Sequence, residues 1–197
     1  MDINREGLRL FQAKGDTDKN SNKEEKEFSD IRIVQITGSI SEVTTQHVIK
    51  ELEMLKQQNN NPIQMIINSR GGSAYDTLSI MEYMRTLGVP VYTKTTGYAF
   101  SGAAAIFSQG EKGHRVMCKN AFMMFHELST DMSGKMHDLD SVYQQCKRLN
   151  DKIYSIVGQN CGLTTESEIG DFKKFLSSDC YLDAEQAKEI GFVDKII

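Results

Sequence analysis

The sequence predicts a single α/β domain built on a mostly parallel sheet. From residue 31 onward, short runs rich in apolar and β-branched residues alternate with amphipathic stretches of helical period. The junctions carry cap and turn chemistry, as at Ser41, Ser73, Gly88 and Gly191. The chain has 197 residues and 39% hydrophobic content, enough to bury one sizeable core. Parallel neighbours then imply right-handed crossovers.

Residues 13–30 are charged, small and almost free of apolar side chains. Such a stretch cannot bury enough surface to offset its ordering entropy. Residues 1–30 are therefore expected to be a mobile N-terminal segment, with a short apolar cluster at 8–11, and residues 31–197 the folded domain. Residues 31–37 alternate apolar and polar and predict a strand. Ser41 caps a helix with Val48, Ile49, Leu52 and Leu55 at helical spacing. After Pro62, residues 63–68 predict a second strand. Ser73 caps a helix whose expected apolar face is Ala74, Leu78, Met81, Met84 and Leu87. Residues 91–96 form a third strand, rich in β-branched side chains. Ser101 opens a short alanine-rich helix, and two short strands include Val116 and residues 122–125. A long amphipathic helix spans about 135–157, with Met136, Leu139, Val142, Cys146, Leu149, Ile153 and Ile156 as its apolar positions. A helix over 184–190, Gly191 and a short strand at 192–193 close the chain.

Composition excludes several function classes. The net charge is −4 and no stretch is concentrated in Lys and Arg, which argues against a nucleic-acid partner. No apolar run approaches the roughly 20 residues of a membrane helix, and the N-terminus is too polar for a secretory signal. Cys118, Cys146, Cys161 and Cys180 lack C-x-x-C spacing, so they suggest neither a zinc site nor a disulfide framework. A reducing, cytoplasmic compartment is the simplest expectation.

Three loops follow the carboxyl ends of predicted strands, where chemistry gathers in open α/β sheets. The first holds Gly71 and Gly72 ahead of Ser73. Paired glycines let backbone N–H groups face an anion; alone, they more often mark a tight turn. The second holds Ser101 among small residues; alone, Ser101 reads as an ordinary helix N-cap. The third ends at His126, which alone reads as a core or edge histidine; His47, His114 and His137 have weaker claims. A serine nucleophile needs a base such as histidine, and the histidine needs a carboxylate to fix its tautomer. Glu127, Asp131, Asp138, Asp171, Asp179 and Asp194 are all possible partners.

Taken together, these residues resemble the Clp protease proteolytic subunit family, which has a crotonase-like α/β fold of repeated ββα units with a protruding handle helix. Ile67, Asn68, Ser69, Gly71, Gly72 and Ser73 are similar to the family's glycine loop. Gly97, Ala99 and Ser101 resemble its nucleophile loop. Gly110, Lys112, Gly113, Arg115, Asn120, Met124 and His126 follow at the family's spacing. Asp179, Tyr181, Leu182, Ala184, Ala187, Gly191, Phe192, Val193 and Asp194 resemble its ending. The resemblance implies an ATP-dependent serine endopeptidase with Ser101 as nucleophile, His126 as base and Asp179 as orienting carboxylate. It also implies an oxyanion hole from the N–H groups of Gly72 and Gly102, with no metal or cofactor. The implied partners are copies of the chain in heptameric rings stacked in pairs, an AAA+ unfoldase that consumes the ATP, and unfolded polypeptide substrates.

The sequence departs from the family at several places. Arg70 replaces a proline, Lys119 stands where a proline is common, and Gly102 replaces a methionine, so a substrate-side wall is expected to be lost. Residues 127–134 carry one glycine where the family has a glycine-rich strand, and Ser177 and Ser178 replace an inter-ring ion pair. These changes suggest an alternative: a non-catalytic or regulatory ring subunit that joins an active paralogue. A coenzyme-A-dependent crotonase enzyme is disfavoured because residues 98–105 contain no carboxylate.

Overall fold

The computed structural model describes residues 32–197. The expectations for residues 1–30 and for the first residue of the opening strand lie outside the described residues. Strand β1 (Arg32–Ile40) leads into helix α1 (Glu42–Gln58), which Ser41 caps by accepting from Thr44 N–H. Strand β2 (Ile63–Gly72), helix α2 (Ala74–Thr86), strand β3 (Val91–Phe100) and helix α3 (Gly102–Ser108) follow. Two short strands, β4 (Arg115–Met117) and β5 (Phe122–Phe125), precede the long helix α4 (Met136–Asn160). The chain ends with α5 (Glu166–Phe175), β6 (Cys180–Leu182), α6 (Ala184–Ile190) and β7 (Lys195–Ile196).

The fold is a mixed α/β fold with a largely parallel sheet. Its main path runs β1-β2-β3-β4-β7, all in parallel. The ten-residue β3 serves two partners in succession. Thr93 to Thr95 pair with β4, and Tyr98 to Phe100 pair with β5. Strand β6 then adds antiparallel to β5. Val34, Ile36, Met65 and Ile67 of the central strands are wholly buried. Helix α3 is apolar on all sides because it is surrounded: Ala103 to Phe107 are buried throughout.

Several elements differ from the sequence-based expectation. Strands β2 and β3 run further, to Gly72 and Phe100, so the paired glycines end a strand rather than form a separate turn. The buried face of α2 is Thr77, Ile80, Met81 and Met84, with Ala74 and Leu78 only half-buried. A threonine can sit there because its hydroxyl donates to the Ser73 carbonyl at 2.9 Å. Helix α5 was not foreseen, although Thr165 and Glu168 form a capping box at its start. Strand β6 was also missed. The last strand is Lys195–Ile196 rather than 192–193, because Phe192 turns into the core and stacks on Phe125 with ring centroids 4.4 Å apart.

Helix α4 divides into two halves. Met136 is 82% exposed and Val142 and Tyr143 are exposed, whereas Leu149, Ile153, Tyr154 and Val157 are buried. The first half therefore stands off the body as a handle. Among the described residues, no helix is long and apolar enough to cross a membrane. At the other end of the sheet, Arg115 is 3% exposed and grips Asp194 with two side-chain bonds, of 2.8 and 2.6 Å. The same carboxylate accepts from the Gly113 and Arg115 N–H groups.

Candidate active site

Ser101 sits at the turn between β3 and α3 with φ 54° and ψ −126°. Among the described residues it is the one non-glycine with positive φ. A backbone of this kind costs roughly 1–3 kcal/mol and persists only where neighbours impose it. Its N–H donates to the Met124 carbonyl at 2.7 Å, which ties the turn to β5. The hydroxyl makes no capping bond, so Ser101 does not act as an ordinary N-cap.

The glycine loop packs directly on this turn. A Cβ on Gly71 would stand 2.7 Å from the Phe100 carbonyl oxygen and 2.9 Å from both Ser101 Cβ and Gly102 N. Gly71 also has φ +89°, which favours glycine. Gly72, paired with Ile40 of β1, would drive a Cβ to 2.1 Å from the Ile40 carbonyl oxygen. As the first residue of α3, Gly102 has an N–H with no acceptor inside the helix.

His126 follows β5 directly. The antiparallel register with β6 pairs Met123 with Leu182, Met124 with Tyr181 and Phe125 with Cys180. His126 follows the last residue of β5 and Asp179 precedes the first residue of β6, so both sit at the same end of this strand pair. The buried Tyr154 hydroxyl of α4 donates to the His126 carbonyl, fastening the strand end to the helix. Burial foremost, with the Glu127 and Asp179 carboxylates adding to it, holds the Tyr154 phenol well above the ordinary tyrosine range, so it remains a donor. Asp179 is exposed and His126 half-buried. No side-chain hydrogen bond joins Ser101, His126 and Asp179 among the described residues. Catalytic hydrogen bonds in unliganded sites often tighten only with substrate.

A cavity of about 270 Å³ opens beside Ser101. Gly72, Gly102 and His126 line it with Ser101, and its apolar wall includes Phe125, Leu149 and Ile153. Asp179 does not line it. Of the other carboxylates, Asp194 is committed to Arg115. Glu127, Asp131, Asp138 and Asp171 are exposed. The remaining histidines lie elsewhere: His47 meets Glu51 at 3.1 Å, His114 stacks on Tyr92 at 3.9 Å, and His137 is exposed.

Comparison with known proteins decides the lineage. Residues 16–197 match the family described as Clp protease. The chain belongs to the Clp protease family. It is 35% identical over 167 residues to the ATP-dependent Clp protease proteolytic subunit 1 of Rhodopirellula baltica, covering 84% of this chain and 72% of that protein. Membership of the Clp protease family makes the chain a serine peptidase and a proteolytic subunit.

Against the Clp protease pattern, the glycine at 102 leaves room for a neighbour: the Thr77 side chain stands where a residue-102 side chain would begin. Other cavity residues escaped the sequence reading. Tyr75, Thr77, Asn150 and Tyr154 all line the cavity. Asn150 and Tyr154 stand one residue after the foreseen apolar positions Leu149 and Ile153, so helical spacing was the available signal. Burial pushes the Cys161 thiol up to about 12 and the Cys180 thiol to about 11, leaving neither reactive near neutral pH.

Proposed function

We propose that this chain hydrolyses peptide bonds of unfolded polypeptides by acyl transfer, with Ser101 as nucleophile, His126 as general base and Asp179 as the group that orients the histidine. The observation that carries the reading is the convergence at one sheet end. A strained Ser101 is bonded to Met124 of β5, two residues before His126, and Asp179 precedes β6 at the same end of the β5–β6 pair.

In the first half-reaction Ser101 Oγ attacks the substrate carbonyl while the imidazole takes its proton. The N–H groups of Gly72 and Gly102 receive the oxyanion. The imidazolium then protonates the leaving amine as the carbon–nitrogen bond breaks. In the second half-reaction water, deprotonated by His126, attacks the ester, and the proton returns to Ser101 as the acid leaves. Asp179 stays ionised and stabilises the imidazolium. The chemistry calls for no cofactor.

Assembly follows from the same kinship. We read the chain as one copy in a homo-oligomeric chamber of heptameric rings stacked in pairs, fed by an AAA+ unfoldase that spends the ATP. The exposed first half of α4 offers a surface for such contacts. The test is hydrolysis of short fluorogenic peptides by the purified assembly. The wild type is expected to cleave them and Ser101→Ala to lose at least about 10³-fold in kcat. Equal activity in the two proteins contradicts the assignment.

A further inference from the structure

Asn150, one of the polar side chains lining the cavity beside Ser101, has half of its amide's hydrogen-bonding capacity unused. Asn150 lies on the face of α4 that also brings Cys146, Leu149, Ile153 and Tyr154 to the cavity. Its Oδ1 accepts from the Leu128 N–H at 3.0 Å. A backbone N–H can only donate, so this bond fixes which end of the amide is oxygen. Asn150 Nδ2 then has no hydrogen-bond partner among the described residues. Two other polar groups of the cavity have already placed their protons: the Thr77 hydroxyl donates to Ser73 and the Tyr154 hydroxyl to His126. Asn150 therefore presents an unspent donor beside the apolar side chains of Phe125, Leu149 and Ile153.

We infer that Asn150 is a specificity-determining residue whose amide N–H group selects a long, unbranched side chain ending in a hydrogen-bond acceptor, as glutamine does, at the residue preceding the scissile bond. The inference rests on the peptidase reading above. That residue's side chain lies nearest the attacked carbonyl, and the cavity opens at Ser101, Gly72 and Gly102. An apolar stem matches the wall, and the acceptor meets Nδ2. Glutamate is disfavoured although it also accepts, because Glu127 and Asp179 both act electrostatically on Tyr154 of the same cavity. A further carboxylate near these two meets repulsion.

The test uses peptides identical except at that residue, which is glutamine, glutamate, norleucine or lysine. Asn150→Asp keeps an oxygen for the Leu128 N–H and removes the donor. Ratios of kcat/KM are read within each protein, so a general loss of activity cancels. The glutamine-to-norleucine ratio is expected to fall about 3- to 10-fold in the variant, the worth of one neutral hydrogen bond. The lysine-to-norleucine ratio is expected to rise. Unchanged ratios overturn the proposal. Wild type alone also decides: glutamine must exceed both glutamate and lysine, and a reversed order contradicts the inference even where the variant fails to fold. Fluorophosphonate labelling separates the two layers. No labelling of wild-type Ser101 overturns the peptidase reading and this proposal together. Labelling with unchanged ratios overturns this proposal alone.

Discussion

Thr77 Oγ1 lies 2.2 Å from the point where a Cβ on Gly102 would stand, and Thr77 Cβ and Cγ2 lie 3.3 Å from it. The two residues share one side chain's worth of space next to Ser101. Gly102→Ala is therefore expected to destabilise by about 1–3 kcal/mol, the usual cost of overpacking. Thr77→Ala removes the two distal atoms and leaves a tolerable 3.3 Å contact. The double variant should be more stable than the sum of the singles by at least ~1 kcal/mol. Denaturant melts of the four proteins give this coupling, and simple additivity contradicts shared space.

The Ser101 backbone makes a separate claim on stability. Its φ of 54° and ψ of −126° suit glycine better than any residue with a Cβ. Ser101→Gly should be more stable than Ser101→Ala by about 1 kcal/mol or more. Both lack the hydroxyl, so the difference reports backbone strain. If alanine is the more stable of the two, the strain is not there.

Tyr154 is expected to act as a positioning residue for His126, because its hydroxyl donates to the His126 carbonyl. Tyr154→Phe keeps the ring and removes that bond. It should lower kcat about 10-fold, within the range that misplacing a catalytic group produces, and leave KM nearly unchanged. A purely structural role would lower the melting temperature without this split between kcat and KM.

Asp194 gives the fold an acid-sensitive fastening. Burial pushes its carboxyl up, but the Arg115 guanidinium and the Gly113 and Arg115 N–H groups outweigh burial and hold it below the ordinary range. A carboxyl depressed on folding adds stability that is full above its unfolded pKa, about 3.9, and is lost as pH falls through the folded value. Asp194→Asn should cost ~3 kcal/mol near neutral pH, because it strands the buried Arg115 charge. The gap between wild type and variant should hold above about pH 5 and close as the pH drops below about 4. A gap that is independent of pH down to acid unfolding contradicts the pairing.

Much of the fold was legible because local chemistry and tertiary role agreed. Ser41, Ser73 and Gly191 cap the helices their spacing suggested. The strand over residues 122–125 was placed as read. Legibility failed where a residue's role depends on a distant partner. Thr77 was not among the expected apolar positions of α2, yet it is buried, with its hydroxyl satisfied by the Ser73 carbonyl and room left by Gly102. Phe192 looked like a strand residue, yet stacking on Phe125 pulls it inward. The candidate site shows the same division. Ser101 and His126 stood out by position after strands, but several carboxylates could serve the histidine until resemblance pointed to Asp179. The pairing of β5 with β6, which brings His126 and Asp179 to one end of the same strand pair, is a long-range contact with no local signal. For Asn150 helical spacing could place the residue beside the buried face of α4, but its bond to the Leu128 N–H depends on a distant partner.

The central claim is that Ser101 is an activated nucleophile served by His126 and Asp179. The most direct test is fluorophosphonate labelling of the purified protein, read by intact mass, with light scattering in parallel to give the assembly's size. Wild type is expected to gain one adduct per chain, on Ser101. Ser101→Ala should gain none, and His126→Ala and Asp179→Asn should react at least about 10²-fold more slowly. If assembled wild type does not label, or labels at the same rate without His126, the account is wrong.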